Sequence, residues 1–241
     1  MTEKTLTENH GIWRILPSMT LTEIIGQSGF DFQILDCEHG GYDFQTLDQD
    51  IRICHLQNNK AYVRVSGLHK VEVQRCLDLG ADGIVFPQLN EYRDFELAAS
   101  MLQYAPRGVR GFNPFVAAGG YGFGDIHAKK IDCIAIIETL QAVEELDEIV
   151  QIPELDTLYI GVYDLSAQLN CIGVMDTPEL LKVIDTVIKK CIEASKEVSL
   201  MVNNVDSFKH YRDKGVTSFV HTVDSFQLKN AFSNLLTNLT K

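Results

Sequence analysis

Short apolar runs alternate with longer amphipathic stretches from one end of the chain to the other. Residues 11–16, 32–36, 61–65, 83–86, 133–138, 157–161, 198–202 and 218–221 are β-branched or aromatic runs too short for helices, and they predict eight strands. Between and after them lie segments with helical spacing of apolar residues: 22–28, 44–57, 70–79, 91–104, 140–150, 178–194, 205–214 and 226–239. The stripe Phe44, Leu47, Ile51, Cys54, Leu56 is the clearest of these. Gly29, Gly80 and Gly215 stand where helices would stop, and Pro178 stands where one would start. One stretch, 105–124, has two prolines and six glycines and predicts a long irregular loop of the kind that usually carries function.

Eight strands, each followed by a helix, within 241 residues match a (β/α)₈ TIM barrel. A doubly wound open sheet would normally show a glycine-rich phosphate turn after an early strand, and neither G-x-G-x-x-G nor G-x-x-x-x-G-K-[ST] occurs. No repeat, linker or shift of composition divides the chain, so residues 1–241 are expected to form a single domain.

Charge narrows the partners. Twenty-one basic against thirty-three acidic side chains give a net charge of −12, which argues against broad binding to nucleic acid or anionic lipid. No apolar run approaches the ~18 residues needed to span a bilayer. The N-terminal ten residues are polar and lack a signal-peptide core, so a reducing cytoplasm is expected. The six cysteines are scattered without a C-x-x-C pair and are expected to be buried free thiols.

In a barrel the C-terminal ends of all strands surround one mouth. Asp36, Glu38 and His39 close the second strand, Arg64 the third and Glu138 the fifth, and Asp164 follows the sixth. A charged group inside an apolar strand is costly unless paired or bound to metal. Taken singly, each has a plain structural reading: Glu138 or Asp164 as a cap, Arg64 as a pair for Glu38, His39 as a loop residue. Asp78, at a helix end, looks structural by itself. His10, His55, His69, His127, His210 and His221 show no such convergence. Two carboxylates without histidine or thiolate suit a hard divalent cation, Mg²⁺ or Mn²⁺ before Co²⁺ or Zn²⁺. An arginine beside them holds an oxyanion, and a rim histidine moves protons. That combination describes enolate chemistry on a 2-oxo acid. No lysine ends a strand, which disfavours a Schiff-base mechanism.

The segments FQILDCEH (32–39), LDLGA (77–81), PRGVRG (106–111), IIET (136–139) and IGVYDLS (160–166) occur in this order, and as a set they resemble the HpcH/HpaI aldolase family, class II pyruvate aldolases related to citrate lyase beta chains. The resemblance runs from Gly11 to about Ala231. It implies a metal-dependent carbon–carbon lyase that splits a 4-hydroxy-2-oxo acid into pyruvate, or a close relative, and an aldehyde. It further implies Glu138 and Asp164 as metal ligands, His39 as the proton-transfer residue and Arg64 as the group that stabilises the enolate oxygen. Asp36 and Asp78 would orient the acid–base apparatus, Asp78 from a neighbouring subunit. The turn from Gly161 through Tyr163 to Asp164 would offer backbone N–H groups to the substrate carboxylate. A hexamer, a trimer of dimers with exchanged C-terminal helices, is implied as well. The chain departs from the family pattern at Ile136, where glutamine is usual. It departs again at Gly161-Val162-Tyr163-Asp164, where Gly-Pro-Ala-Asp is usual, and in the bulky loop Phe112-Asn113-Pro114-Phe115. Tyr163 either fills space near the pyruvate methyl group, donates a hydrogen bond to substrate, or packs on Phe112 and Phe115. Two other readings stay open: an acyl-CoA lyase of the same superfamily, and a non-catalytic metal- or ligand-binding scaffold whose pocket Tyr163 has closed.

Overall fold

The computed structural model describes residues 8–125 and 129–240. In chain order the elements are β1 (Asn9–Arg14), α1 (Met19–Gln27), β2 (Phe32–Asp36), α2 (Phe44–Leu56), β3 (Lys60–Arg64), α3 (Lys70–Leu79), β4 (Gly83–Phe86) and α4 (Tyr92–Met101). After the long loop come β5 (Asp132–Ile137), α5 (Leu140–Glu144), α6 (Leu146–Ile149), β6 (Thr157–Ile160), α7 (Val162–Gln168), α8 (Pro178–Glu193), β7 (Glu197–Met201), α9 (Val205–Asp213), β8 (Ser218–Val223) and α10 (Asp224–Leu239). The eight strands pair in parallel in sequence order, and β8 pairs back onto β1 to close the barrel.

Strand periodicity sorts the side chains into two cores. Ile34, Ile134, Ile136, Tyr159 and Val220 point inward with Trp13 and Phe32 and fill the barrel interior. Their neighbours, such as Leu35, Ala135, Ile137 and Leu158, point outward and pack under the helices. Helix ends follow local chemistry. Asp43 and Thr46 form a capping box at the start of α2, and Thr177 caps α8 with Pro178 in its first turn. Gly80 ends α3 in the left-handed region at φ 103°, which favours glycine.

Three elements differ from the sequence reading. Helix α1 begins at Met19, three residues before the expected start, because Ser18 caps it through Leu21 N–H. The expected helix over 140–150 is two short helices, α5 and α6. Helix α7 occupies a stretch with no helical stripe. The 105–124 loop holds one 3₁₀ turn, Ala117–Gly122. All six cysteines are free, four of them buried, and burial pushes the thiols of Cys37, Cys54 and Cys191 up to about 12. No helix among the described residues is long and apolar enough to cross a membrane. His127 and the first seven residues lie outside the described residues.

A buried cation ties the barrel wall to three helices. Arg14 points outward from β1 and is fully buried. It donates to Asp224 at the start of α10 (3.0 Å), to Thr22 of α1 (2.8 Å) and to Gln33 of β2 (2.6 Å), with Asp50 of α2 at 3.8 Å. Beyond Asp224, α10 exposes Phe226, Phe232, Leu235, Leu236 and Leu239.

Candidate active site

The inward register that fills the barrel with Ile34, Tyr62, Ile136 and Tyr159 continues, two residues on, to Asp36, Arg64, Glu138 and Gly161. These four positions form the top layer of the barrel interior and floor a cavity of about 340 Å³. His39, Tyr163 and Asp164 stand on its rim. Seven of the eight positions singled out in the sequence therefore meet in one place.

Asp36 is completely buried and is the hub of this layer. Its Oδ1 accepts from Arg64 Nε (2.9 Å) and from the backbone N–H groups of Glu38 (2.9 Å) and His39 (3.1 Å). Its Oδ2 accepts from Trp13 Nε1 (3.0 Å) and from Arg64 Nη2. Burial opposes its ionisation, but the guanidinium and these N–H donors outweigh burial and hold the carboxyl below its usual range. Arg64 is also 2.7 Å from Glu38 Oε2, an ion pair poorly aligned for a hydrogen bond, and it lies 4.7 Å from the Trp13 ring centroid. The Arg64–Glu38 pairing expected as a plain structural alternative exists, and it coexists with the stronger grip of Asp36.

Asp36 holds the main chain of His39, not its ring. The imidazole is 72% exposed, with Nε2 3.9 Å from Glu38 Oε2. Glu38 is fixed from its other side by Gln88 Nε2 (2.6 Å). Gln88 takes a left-handed conformation at φ 58° and donates its backbone N–H to Glu138 Oε1. Glu138 is 7% exposed. Burial pushes its carboxyl up to about 7, Asp164 and Glu38 add repulsion, and the Gln88 N–H and Arg64 pull the other way.

Helix α7 starts directly off β6 and delivers Asp164 in its first turn. Its first backbone bond runs from Leu165 N–H to Gly161 O (3.1 Å), so the amides of Val162, Tyr163 and Asp164 precede the hydrogen-bonded ladder. Gly161 is required by close approach: a Cβ there would lie 2.6 Å from Glu138 Cβ and 2.9 Å from Ile136 Cγ2. Tyr163 is 55% exposed and leaves the mouth open. Phe112 instead packs edge-on against Tyr104 at 5.7 Å.

Asp78 stands apart. It lies at the far end of α3 from the mouth and accepts from Gln74 Nε2 (2.8 Å), with Arg110 nearby. Burial raises its carboxyl, against the pull of Gln74 and Arg110. Trp13, Gln88 and Tyr159 belong to the site or its wall and carried no signal in the sequence beyond their strand or loop positions.

The donor set fits a hard divalent cation. Glu138 and Asp164 face one cavity whose only Lys or Arg among the described residues, Arg64, is committed to Asp36 and Glu38. Among the described residues no three His, Cys, Asp or Glu side chains form a cage, so water and substrate oxygens would complete the coordination.

A closed parallel barrel carries a carboxylate pair, a pinned arginine and a rim histidine at its C-terminal mouth, where (β/α)₈ enzymes build their sites. The family model described as HpcH/HpaI aldolase/citrate lyase matches residues 9–231, and the chain belongs to that family. It is 27% identical over 233 residues to the 2-dehydro-3,6-dideoxy-6-sulfogluconate aldolase of Pseudomonas putida, covering 95% of this chain and 91% of that one. It is 26% identical to a hydroxypyruvate/pyruvate aldolase of Agrobacterium fabrum, covering 93% and 86% of the two chains. A crystallised family member from Burkholderia cenocepacia superposes with a TM-score of 0.93 at 23% identity, covering 99% and 96%, which shows the shared fold.

Proposed function

We propose that this protein is a class II aldolase, a carbon–carbon lyase that cleaves a 4-hydroxy-2-oxo acid to pyruvate, or a close 2-oxo acid, and an aldehyde. The observation that carries this reading is the top layer of the barrel, which sets Asp36, Arg64 and Glu138 beside Asp164 and His39 in one cavity. Glu138 and Asp164 would hold the divalent cation that the family implies, and that ion would supply Lewis-acid stabilisation of the enolate.

The chain's own residues do the rest. Amides at the start of α7 face the substrate carboxylate. The His39 imidazole takes the proton of the 4-hydroxyl at Nε2, the nitrogen beside Glu38. The C3–C4 bond breaks, its electron pair passes into the enolate, and the alkoxide pair becomes the aldehyde carbonyl. Arg64, held by Asp36, places its charge beside the developing oxyanion. Return of the proton to C3 gives the methyl group of pyruvate and restores the imidazole. Asp78 would act in a neighbouring subunit's site, within a homo-oligomer built as a trimer of dimers. The exposed apolar side chains of α10 support an assembly in which that helix is covered by another subunit. Six unpaired thiols support a reducing, cytoplasmic setting.

The test needs no aldehyde. With Mn²⁺ and pyruvate in D₂O, NMR should show loss of the methyl protons, and Glu138→Ala and Asp164→Ala should abolish both exchange and Mn²⁺ binding. No exchange in the wild-type protein with pyruvate, hydroxypyruvate or 2-oxobutyrate would overturn the reading.

A further inference from the structure

A second cavity, of about 550 Å³, adjoins the reaction pocket. Val162, Tyr163 and Met201 line both and together form the partition between them. The outer walls come from the 173–176 turn, from Ile184 of α8 and from the 203–207 segment that opens α9. This wall is built, not incidental. Ser166 Oγ donates to Tyr163 O (2.6 Å) and accepts from Gly173 N–H (3.1 Å), which ties the turn to the partition. Asn204 is locked in a capping box with Ser207.

The lining has an apolar side, built by Val174, Met175, Ile184, Leu200 and Met201, and a polar side of Asn203, Asn204, Ser207 and Tyr211 that is uncharged apart from Asp176. Asp176 is its one formally charged side chain among the described residues, and it is negative. Lys214, 6.0 Å from the Tyr211 ring centroid, is already paired with Asp185. In the reaction pocket the cation Arg64 is held by two carboxylates. An anionic group entering the second cavity therefore meets repulsion from Asp176 and no free cation of this chain, whereas an aliphatic chain meets apolar walls.

We propose that this second cavity receives the distal chain of the aldehyde partner, and that it selects uncharged, aliphatic aldehydes over aldehydes ending in a carboxylate. The proposal rests on the aldolase reading above. It gives Tyr163 a role at the border between the enolate-forming half of the site and the acceptor half.

The experiment compares kcat/KM for aldol addition of pyruvate, with Mn²⁺, to pentanal and to succinic semialdehyde, two acceptors of similar length that differ in terminal charge. Wild-type protein should prefer pentanal roughly tenfold, the scale on which pocket contacts discriminate between acceptors. Asp176→Lys should shift the ratio toward succinic semialdehyde roughly tenfold, and Val174→Trp should lower pentanal against acetaldehyde. The wild-type ratio decides the matter even if a variant fails to fold. Pyruvate methyl exchange in D₂O together with equal or better use of succinic semialdehyde would overturn this inference alone. Absence of exchange would overturn the aldolase reading and this inference with it.

Discussion

Replacing Gly161 by alanine adds one methyl group where β6 passes the candidate metal ligand. The backbone at Gly161 (φ −79°, ψ 74°) does not demand glycine by its φ, so the effect is steric. The new carbon would lie 2.6 Å from Glu138 Cβ, 2.9 Å from Ile136 Cγ2 and 3.2 Å from Glu138 Oε2. Carbon atoms rest at ~3.5–4.0 Å, so the contact must open by about an ångström. The obstructing Cβ and Cγ2 sit close to the backbone of a packed strand, where little can swing away. Overpacking of this kind costs about 1–3 kcal/mol, which for a chain of this size lowers Tm by roughly 2–12 °C. The displaced atom matters more than the heat stability, because Glu138 is the carboxylate expected to hold the cation. At a hundred times its Kd, a bound metal stabilises a protein by about 2.7 kcal/mol. Thermal melts with EDTA and with Mn²⁺ should therefore show a lower Tm for Gly161→Ala and most of the metal-induced rise lost. A variant that melts within about 1 °C of wild type and gains as much from Mn²⁺ would refute both the steric argument and Glu138 as ligand.

Asp224→Ala should cost about 3–5 kcal/mol, because it leaves Arg14 buried without its closest charge; urea unfolding checks this, and a loss under about 1 kcal/mol would show that Asp50 and Gln33 suffice. Asp82, bonded to His55 (2.9 Å), Lys129 (2.7 Å) and the Ala61 N–H (2.7 Å), has its carboxyl lowered to about 2 despite burial. A depressed folded-state value stabilises above the unfolded pKa near ~4, and that stability is lost as pH falls through the folded value. With partners that are 40% and 43% exposed, the discounted contribution is about 1–2 kcal/mol. Asp82→Asn should thus be less stable than wild type at pH 7 and equal to it near pH 2, and a difference that persists in acid would contradict the assignment. If Asp78 acts across a subunit boundary, co-expressed Asp78→Asn and His39→Ala chains should form mixed oligomers with more activity than either variant alone, whereas no gain over the single variants would show that Asp78 does not act across that boundary.

The barrel was legible because strand periodicity and strand length are local properties, and eight repetitions leave few alternatives. The grouping of the candidate site residues was legible for the same reason. Asp36, Arg64 and Glu138 share the inward register of Ile34, Tyr62 and Ile136, so a polar residue at a strand end announces itself against an apolar background. What the sequence hid was decided by tertiary contacts. Arg14 is one residue of the first predicted strand with nothing to mark it until Asp224, 210 positions away, closes on it. Gln88 matters through a left-handed backbone that turns its N–H toward Glu138, and nothing in Phe86-Pro87-Gln88-Leu89 marks that conformation. Helix α7 has seven residues and no apolar stripe. It forms because Gly161 lets β6 pass close to Glu138 and because Ser166 and the 171–173 turn brace its far end.

Arg64 is gripped by Asp36 through two nitrogens, faced by Glu38 at a third, and stacked on Trp13. A long side chain that is free until substrate arrives gives up roughly 1.5–2 kcal/mol of rotamer freedom on the way to the transition state. For Arg64 that ordering is complete once the chain has folded, so in the role proposed for it the guanidinium would add little unfavourable activation entropy. An entropic advantage of this kind multiplies the rate by the same factor at every temperature, so an Arg64→Lys enzyme should give an Arrhenius line parallel to that of wild type and displaced below it.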